Sequence, residues 1–186
     1  MPALLRRCAG LGALLTLLAA VPAAAQSTAR TGFVGFGLAY GTAGIYADGQ
    51  SDAKPGQSVF GRFGVARSGR PFLVGDAELQ LYRAPYPELE AEFRAVSFLG
   101  GVALFPSRNC YLLPQVGWQF RSWSGEEAPV DSDNGLLASL GLGYHFEFGP
   151  GFALLPEVVA RFGRASDAGA NSYRGAGFRL VALWSF

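Results

Sequence analysis

Four residue types are scarce in this chain of 186 residues. The sequence contains one histidine, one methionine, two cysteines and, at Lys54, a single lysine. Histidine-based catalysis would therefore have to use His145. The cysteines are Cys8 and Cys110, so a chain that loses its first residues keeps one thiol and forms no intramolecular disulfide.

Long hydrophobic runs are also missing. No segment offers the roughly 18 uninterrupted apolar residues that a membrane-spanning helix needs. The apolar run from Cys8 to Val21 is shorter, at about fourteen residues. A helical membrane protein is therefore not expected.

That short run has the flanks of a secretory signal peptide. Arg6 and Arg7 precede it, and the small residues Ala23, Ala24 and Ala25 follow it. Charged, apolar and small regions in this order are typical of a cleaved leader. We predict a signal peptide over residues 1–25 and a mature domain over residues 26–186.

Neither sign of charge dominates. The chain has 15 lysine and arginine residues against 14 acidic ones, and two of the arginines fall in the predicted leader. The mature chain then has a net charge of about −1. Nothing here indicates a nucleic-acid partner.

Glycine and phenylalanine are abundant, with 26 and 15 residues. Turn-forming residues divide the mature chain into eight segments of strand length. The connections between these segments alternate between long and short, as in a barrel whose long loops all lie at one end. The predicted strands are residues 31–41, 57–67, 72–84, 91–105, 111–122, 135–148, 152–163 and 175–186.

Each predicted strand has one apolar and one polar face, because its apolar residues recur at every second position. In the first strand these are Val34, Phe36, Leu38 and Tyr40. Charged residues in mid-strand fall on the opposite faces, and lipid would cost a basic residue about 2–4 kcal/mol near the bilayer midplane. The pattern predicts an all-β fold, an eight-stranded antiparallel transmembrane up-and-down β-barrel with its apolar faces in lipid.

Side chains fill the lumen of so narrow a barrel, and its inward charges must pair because an unpaired buried charge is costly. Folding the second and third strands about residues 68–71 brings Arg62 close to Asp76 and Glu78. Folding the fourth and fifth strands sets Ser97 opposite Gln119. The predicted lumen charge network consists of Arg62, Asp76, Glu78, Arg121, Glu147, Glu157, Arg161 and Arg179.

Two prolines interrupt the pattern. Pro114 and Pro156 lie inside predicted strands on the lipid face, and each removes a backbone donor from the ladder. We expect a bulge or a strand end at each position.

The last strand carries a family resemblance. It alternates Phe178, Leu180, Ala182, Trp184 and Phe186 on one face and ends on an aromatic residue. Together with the leader, the strand count and the loop alternation, this resembles the small outer-membrane barrels of the OmpA-transmembrane and OmpX type.

The resemblance implies an outer-membrane location in a Gram-negative bacterium and a monomer that contacts outer-membrane lipid and lipopolysaccharide. It also implies that the outer-membrane assembly machinery reads Trp184 and Phe186 as a C-terminal signal during biogenesis. No cofactor is implied. Several unrelated functions are known on this architecture, so the fold does not choose among them.

Three functions remain open at this point. The first is a structural or surface-interaction protein that is not an enzyme. The second is a gated porin or transporter of small or apolar solutes. The third is a lipid A-modifying enzyme, but the lipid A deacylase family places a serine two residues from its histidine, where this chain has Glu147.

No metal site is predicted. The run from Asp131 to Gly135 begins like a calcium-binding loop, but its twelfth position is Leu142 where the closing glutamate would stand. We interpret the run as part of a solvated loop.

Overall fold

The computed structural model describes residues 30–47, 50–67, 70–83, 92–124, 131–149, 151–165 and 172–186. The predicted signal peptide lies outside these residues, and so do parts of several predicted loops. Among the described residues, no helix has the length and apolarity needed to cross a membrane.

The described chain is built from antiparallel strands, and apart from β6 and β7 each pair of strands consecutive in sequence is hydrogen-bonded. The first strand also pairs with the last, and β6 pairs with β8, which closes the sheet. The strands are β1 Arg30–Ala47, β2 Gln50–Arg67, β3 Arg70–Arg83, β4 Glu92–Val102, β5 Cys110–Ser124, β6 Asp131–Tyr144, β7 Phe146–Gly149, β8 Phe152–Ala165 and β9 Ser172–Ser185.

Strands β6 and β7 count as one wall of the barrel. Only His145 separates them, and both pair with β8. The fold is therefore a closed eight-stranded antiparallel barrel, as the sequence predicted. We call the end that holds Arg30 and Phe186 the terminal end, and the opposite end the loop end.

The first hairpin is longer than predicted. Residues 42–56 were expected to form a loop, but the ladder continues from Thr42 paired with Pro55 to Ala47 paired with Gln50. Backbone hydrogen bonds carry this extension and need no apolar side chains, so the period-two pattern gave no sign of it. The alternation of long and short connections therefore fails at this hairpin.

The expected irregularities lie elsewhere. Pro114 pairs with Leu140, and Pro156 pairs with Leu180, in regular register. In an antiparallel ladder each residue bonds to only one neighbour, so a proline costs one bond and leaves the other edge intact. The register shifts occur instead between Val65 and Ala66 and between Glu147 and Gly149.

The predicted register is confirmed, and so are the predicted faces except at Glu147. Arg62 pairs with Asp76, and Ser97 pairs with Gln119. Large apolar side chains point outward along every wall, with Phe36 53% and Phe98 50% exposed. Several mid-strand arginine, acidic and glutamine side chains are buried in the interior, which is the reverse of a water-soluble barrel.

The interior also holds apolar side chains. One cluster includes Phe33, Val74, Leu113, Leu155 and Leu183, on inward positions near the terminal end. A second cluster, towards the loop end, contains Ala43, Ala95, Leu99, Leu137 and Tyr173. The buried charges therefore lie between two apolar zones.

Candidate functional site

Six charged side chains meet in the middle of the barrel. Each is at most 5% exposed, and they comprise three guanidinium groups and three carboxylates. We call this set the central charged layer: Arg62, Asp76, Glu78, Glu157, Arg161 and Arg179.

Arg62 joins carboxylates from two walls. Its Nε and Nη2 atoms donate to the two oxygens of Asp76 at 2.8 and 2.9 Å. Its Nη1 atom donates to Oε1 of Glu157, and its Nη2 to Oε2 of Glu157 at 3.1 Å. The planar fork of arginine suits such paired contacts, so β2 is tied to β3 beside it and to β8 across the lumen.

Glu78 is the second centre of the layer. It accepts from Nη2 of Arg161 at 2.7 Å to each oxygen, and from Nη2 of Arg179 at 2.5 Å. The hydroxyl of Ser58 donates to the same carboxylate at 2.5 Å. Arg179 also donates to Asp76 at 3.2 Å, which makes the layer one continuous network.

Neutral side chains complete this network. Gln115 donates to Asp76 at 2.9 Å, and the Tyr111 hydroxyl donates to Glu157 at 2.5 Å. The Phe60 ring lies against Arg179, with 4.6 Å between the ring centre and Cζ. Buried ion pairs need such extra partners, because pairing alone does not offset the loss of hydration.

Interior glycines make room for these aromatic side chains. A Cβ atom on Gly37 would lie 2.3 Å from the Phe60 ring, and one on Gly143 would lie 2.5 Å from Cζ of Tyr111. Real Cβ contacts are never so short. Part of the glycine excess therefore provides space beside the charged layer.

The network predicted from the sequence omits Phe60, Tyr111 and Ser58. Their inward positions could have shown it, since Tyr111 shares the face of Gln115 and Gln119 on β5. Arg121 was included in the network and is buried, but it lies nearer the loop end, with Cζ 6.0 Å from the Tyr173 ring centre.

Glu147 was wrongly placed in the lumen. It is exposed, on the four-residue strand β7. The interruption at His145 and the register shift between Glu147 and Gly149 break the alternation that extrapolation from β6 assumed.

The two residues of the predicted assembly signal lie on the outer surface. Trp184 is 48% and Phe186 78% exposed, and the Phe186 N–H donates to the carbonyl of Gly32 at 2.9 Å. The signalling role itself stays a prediction. Cys110 is a half-buried free thiol at the start of β5.

The central charged layer fills the lumen and leaves little open space in it. A cavity of about 20 Å³ lies beside Ser58, Arg161 and Tyr173, which is room for about one water molecule. In the described ranges no group of side chains could hold a metal ion. The run from Asp131 lies in β6, as a strand and not as the predicted loop.

The comparisons with known proteins show similarity in fold alone. No protein-family description and no curated protein matches the sequence. Among solved structures, Ail, the attachment invasion locus protein of Yersinia pestis, is 15% identical over 83% of this chain and 99% of that one, with a TM-score of 0.54. Neisserial surface protein A is 10% identical over 85% and 99%, with a TM-score of 0.57.

This chain is also similar to Ail in a structure of the complex between Ail and the heparin analogue sucrose octasulfate, with a TM-score of 0.51. The barrel architecture of this chain is therefore that of small outer-membrane barrels.

Proposed function

We propose that this chain is an outer-membrane β-barrel protein with a structural or surface-interaction role. Its outward apolar face lies in lipid and lipopolysaccharide, and its loop end faces the medium. The leader over residues 1–25 directs export, and Trp184 and Phe186 serve assembly into the membrane. The protein acts as a monomer, without a cofactor and without catalysis.

The observation that carries this proposal is the filled interior. In the part of the chain that the structure describes, the central charged layer ties β2, β3, β8 and β9 together across the lumen. Apolar side chains occupy the lumen on both sides of it. A barrel filled in this way offers its surfaces for function, and not its lumen.

The outward face supports a lipid environment. Exposed leucine, valine and phenylalanine side chains recur on all walls, and a patch of this extent is unusual on a soluble monomer. The similar structures are described as those of an attachment invasion locus protein and of a surface protein. These descriptions favour a role at the cell surface.

The alternative is gated passage of small solutes through a rearranged charged layer. Planar-bilayer conductance of the refolded mature protein distinguishes the two, provided that heat-modifiable migration first shows a folded barrel. We expect no steady openings. Defined openings whose size changes in Arg62→Ala would replace the proposal by the transport function.

A further inference from the structure

A polar pocket of about 360 Å³ opens at the terminal end, away from the central charged layer. It lies where the interruption between β6 and β7 meets the turn that leads into β5. Its walls are Arg70, Arg108, Asn109, Tyr144, His145, Phe146 and Glu147.

Specific contacts hold this pocket in shape. The backbone N–H of His145 donates to the backbone carbonyl of Asn109 at 2.8 Å. The side-chain amide of Asn109 donates to the Tyr144 hydroxyl at 2.9 Å. The Arg70 guanidinium lies on the Phe105 ring, with 5.5 Å from Cζ to the ring centre. The turn, the interruption and the start of β3 are thus fixed relative to one another.

His145 leaves one buried atom unsatisfied in this wall. The residue is 4% exposed, and within the described residues its Nε2 atom has no hydrogen-bond partner. The Phe105 ring stands edge-on to the imidazole at 6.3 Å and offers no polar atom. Because Nε2 has almost no accessible surface, a ligand in the pocket does not contact it, and His145 is a neighbour of the ligand and not its donor.

The charges of the pocket indicate which ligand it would take. Two arginines, Arg70 and Arg108, line the pocket together with one carboxylate residue, Glu147. Guanidinium groups bind phosphate oxygens through paired hydrogen bonds.

The pocket also borders the lipid-facing surface. Phe146 is an outward residue, and its ring lies 4.4 Å from that of Tyr144, centre to centre. Aromatic side chains at this height are typical of the headgroup region of a membrane.

We propose that this pocket binds a phosphate group, with Arg70 and Arg108 as donors to its oxygens and His145 beside the bound group. Glu147 is placed to accept from an ammonium group attached to the same ligand. The phosphate belongs either to a phospholipid headgroup of the leaflet at the terminal end or to a free solute. Only the lipid source depends on the membrane orientation proposed above.

The test uses the single histidine. A chain labelled at histidine gives one imidazole resonance from His145, because the sequence has no second one. The refolded mature protein, in a phosphate-free maltoside detergent, is titrated with inorganic phosphate, with short-chain phosphatidylethanolamine and with diacylglycerol of the same chain length. Sodium chloride at matched ionic strength controls for screening.

A saturable shift with phosphate or with the phospholipid, but not with chloride or diacylglycerol, supports the site. Binding of the phospholipid at least about tenfold tighter than phosphate identifies a headgroup as the ligand. Equal or tighter binding of phosphate identifies a solute. Absence of a saturable shift with either probe overturns the proposal.

Variants locate the effect. Arg70→Gln and Arg108→Gln should each weaken binding by about tenfold, because each removes a charge-assisted bond. The matched control is Arg164→Gln, an exposed arginine near the loop end, which should leave the titration unchanged. Arg108 is exposed, so its variant tests the site even if Arg70→Gln fails to fold. Equal binding in the control and both pocket variants would contradict the assignment.

Discussion

Arg179 contacts two carboxylates at once, and this sharing makes each charge of the central layer depend on its neighbours. Removing one member takes an ion-pair partner away from at least one buried charge of opposite sign. The energetic consequence exceeds that of losing a surface ion pair, which is worth at most about 1 kcal/mol. Single residues of the layer should therefore matter strongly for stability.

Arg62→Ala should lower the free energy of unfolding by about 3–5 kcal/mol. It leaves Glu157 without its closest guanidinium and Asp76 with Arg179 alone as a charged partner. Urea unfolding in lipid vesicles, followed by tryptophan fluorescence, measures this. The control Arg164→Ala removes an exposed arginine and should change stability by less than about 0.5 kcal/mol. Similar losses in both variants would contradict the network.

Gly143→Ala should cost about 1–3 kcal/mol, because the new methyl group collides with Tyr111 beside Glu157. The same unfolding measurement applies. Gly100→Ala is the matched control, since a Cβ atom there meets nothing within 4 Å. If the two substitutions cost the same, the close packing of Tyr111 is wrong.

At the scale of elements, the strands follow from the apolar alternation within each segment. The exceptions to that alternation follow from the pairing between strands. Alternation along β1 and β5 predicts both faces correctly, because burial acts on each strand with period two. The regular ladder at Pro114 depends on the register of β5 with β6. The break at His145 and the exposure of Glu147 depend on the register of β7 with β8. The sequence carries no direct pattern for such pairings.

The contacts of the central charged layer are of two kinds, those between strands adjacent in sequence and those across the barrel. Hairpin folding brings Arg62 to Asp76 because the two strands are adjacent in sequence. The contact between Arg62 and Glu157 crosses 95 residues, and only closure of the barrel produces it. The predicted network omits Tyr111, because its contact with Glu157 spans 46 residues and joins strands that are not adjacent in sequence.

The long first hairpin gives a prediction at this scale. Amides of residues 42–46 that bond within the β1–β2 ladder should exchange slowly with deuterium, because both strands continue beyond the predicted loop boundary. Amide exchange by NMR measures it, with Ser107 and Arg108 of the turn before β5 as the fast reference. Fast exchange in both segments would restore the loop first predicted.

At the scale of the whole molecule, polarity is inverted relative to a soluble barrel. Charged side chains satisfy one another inside, and apolar side chains cover the outside. The outward face gains stability only where the solvent is lipid, because there its exposure to water ends. The filled lumen and the lipid-facing surface are thus two aspects of one arrangement.

Nitroxide accessibility tests this arrangement most directly. Spin labels are placed at Leu142 and Val158 on the outward face, and at Ser107 in the turn, in a Cys110→Ser background refolded into lipid vesicles. If the apolar face lies in lipid, labels at Leu142 and Val158 should collide often with oxygen and rarely with a water-soluble nickel chelate. The label at Ser107 should collide rarely with oxygen and often with the chelate. Strong nickel collisions at Leu142 and Val158 would contradict this arrangement, because the apolar face would then stand in water.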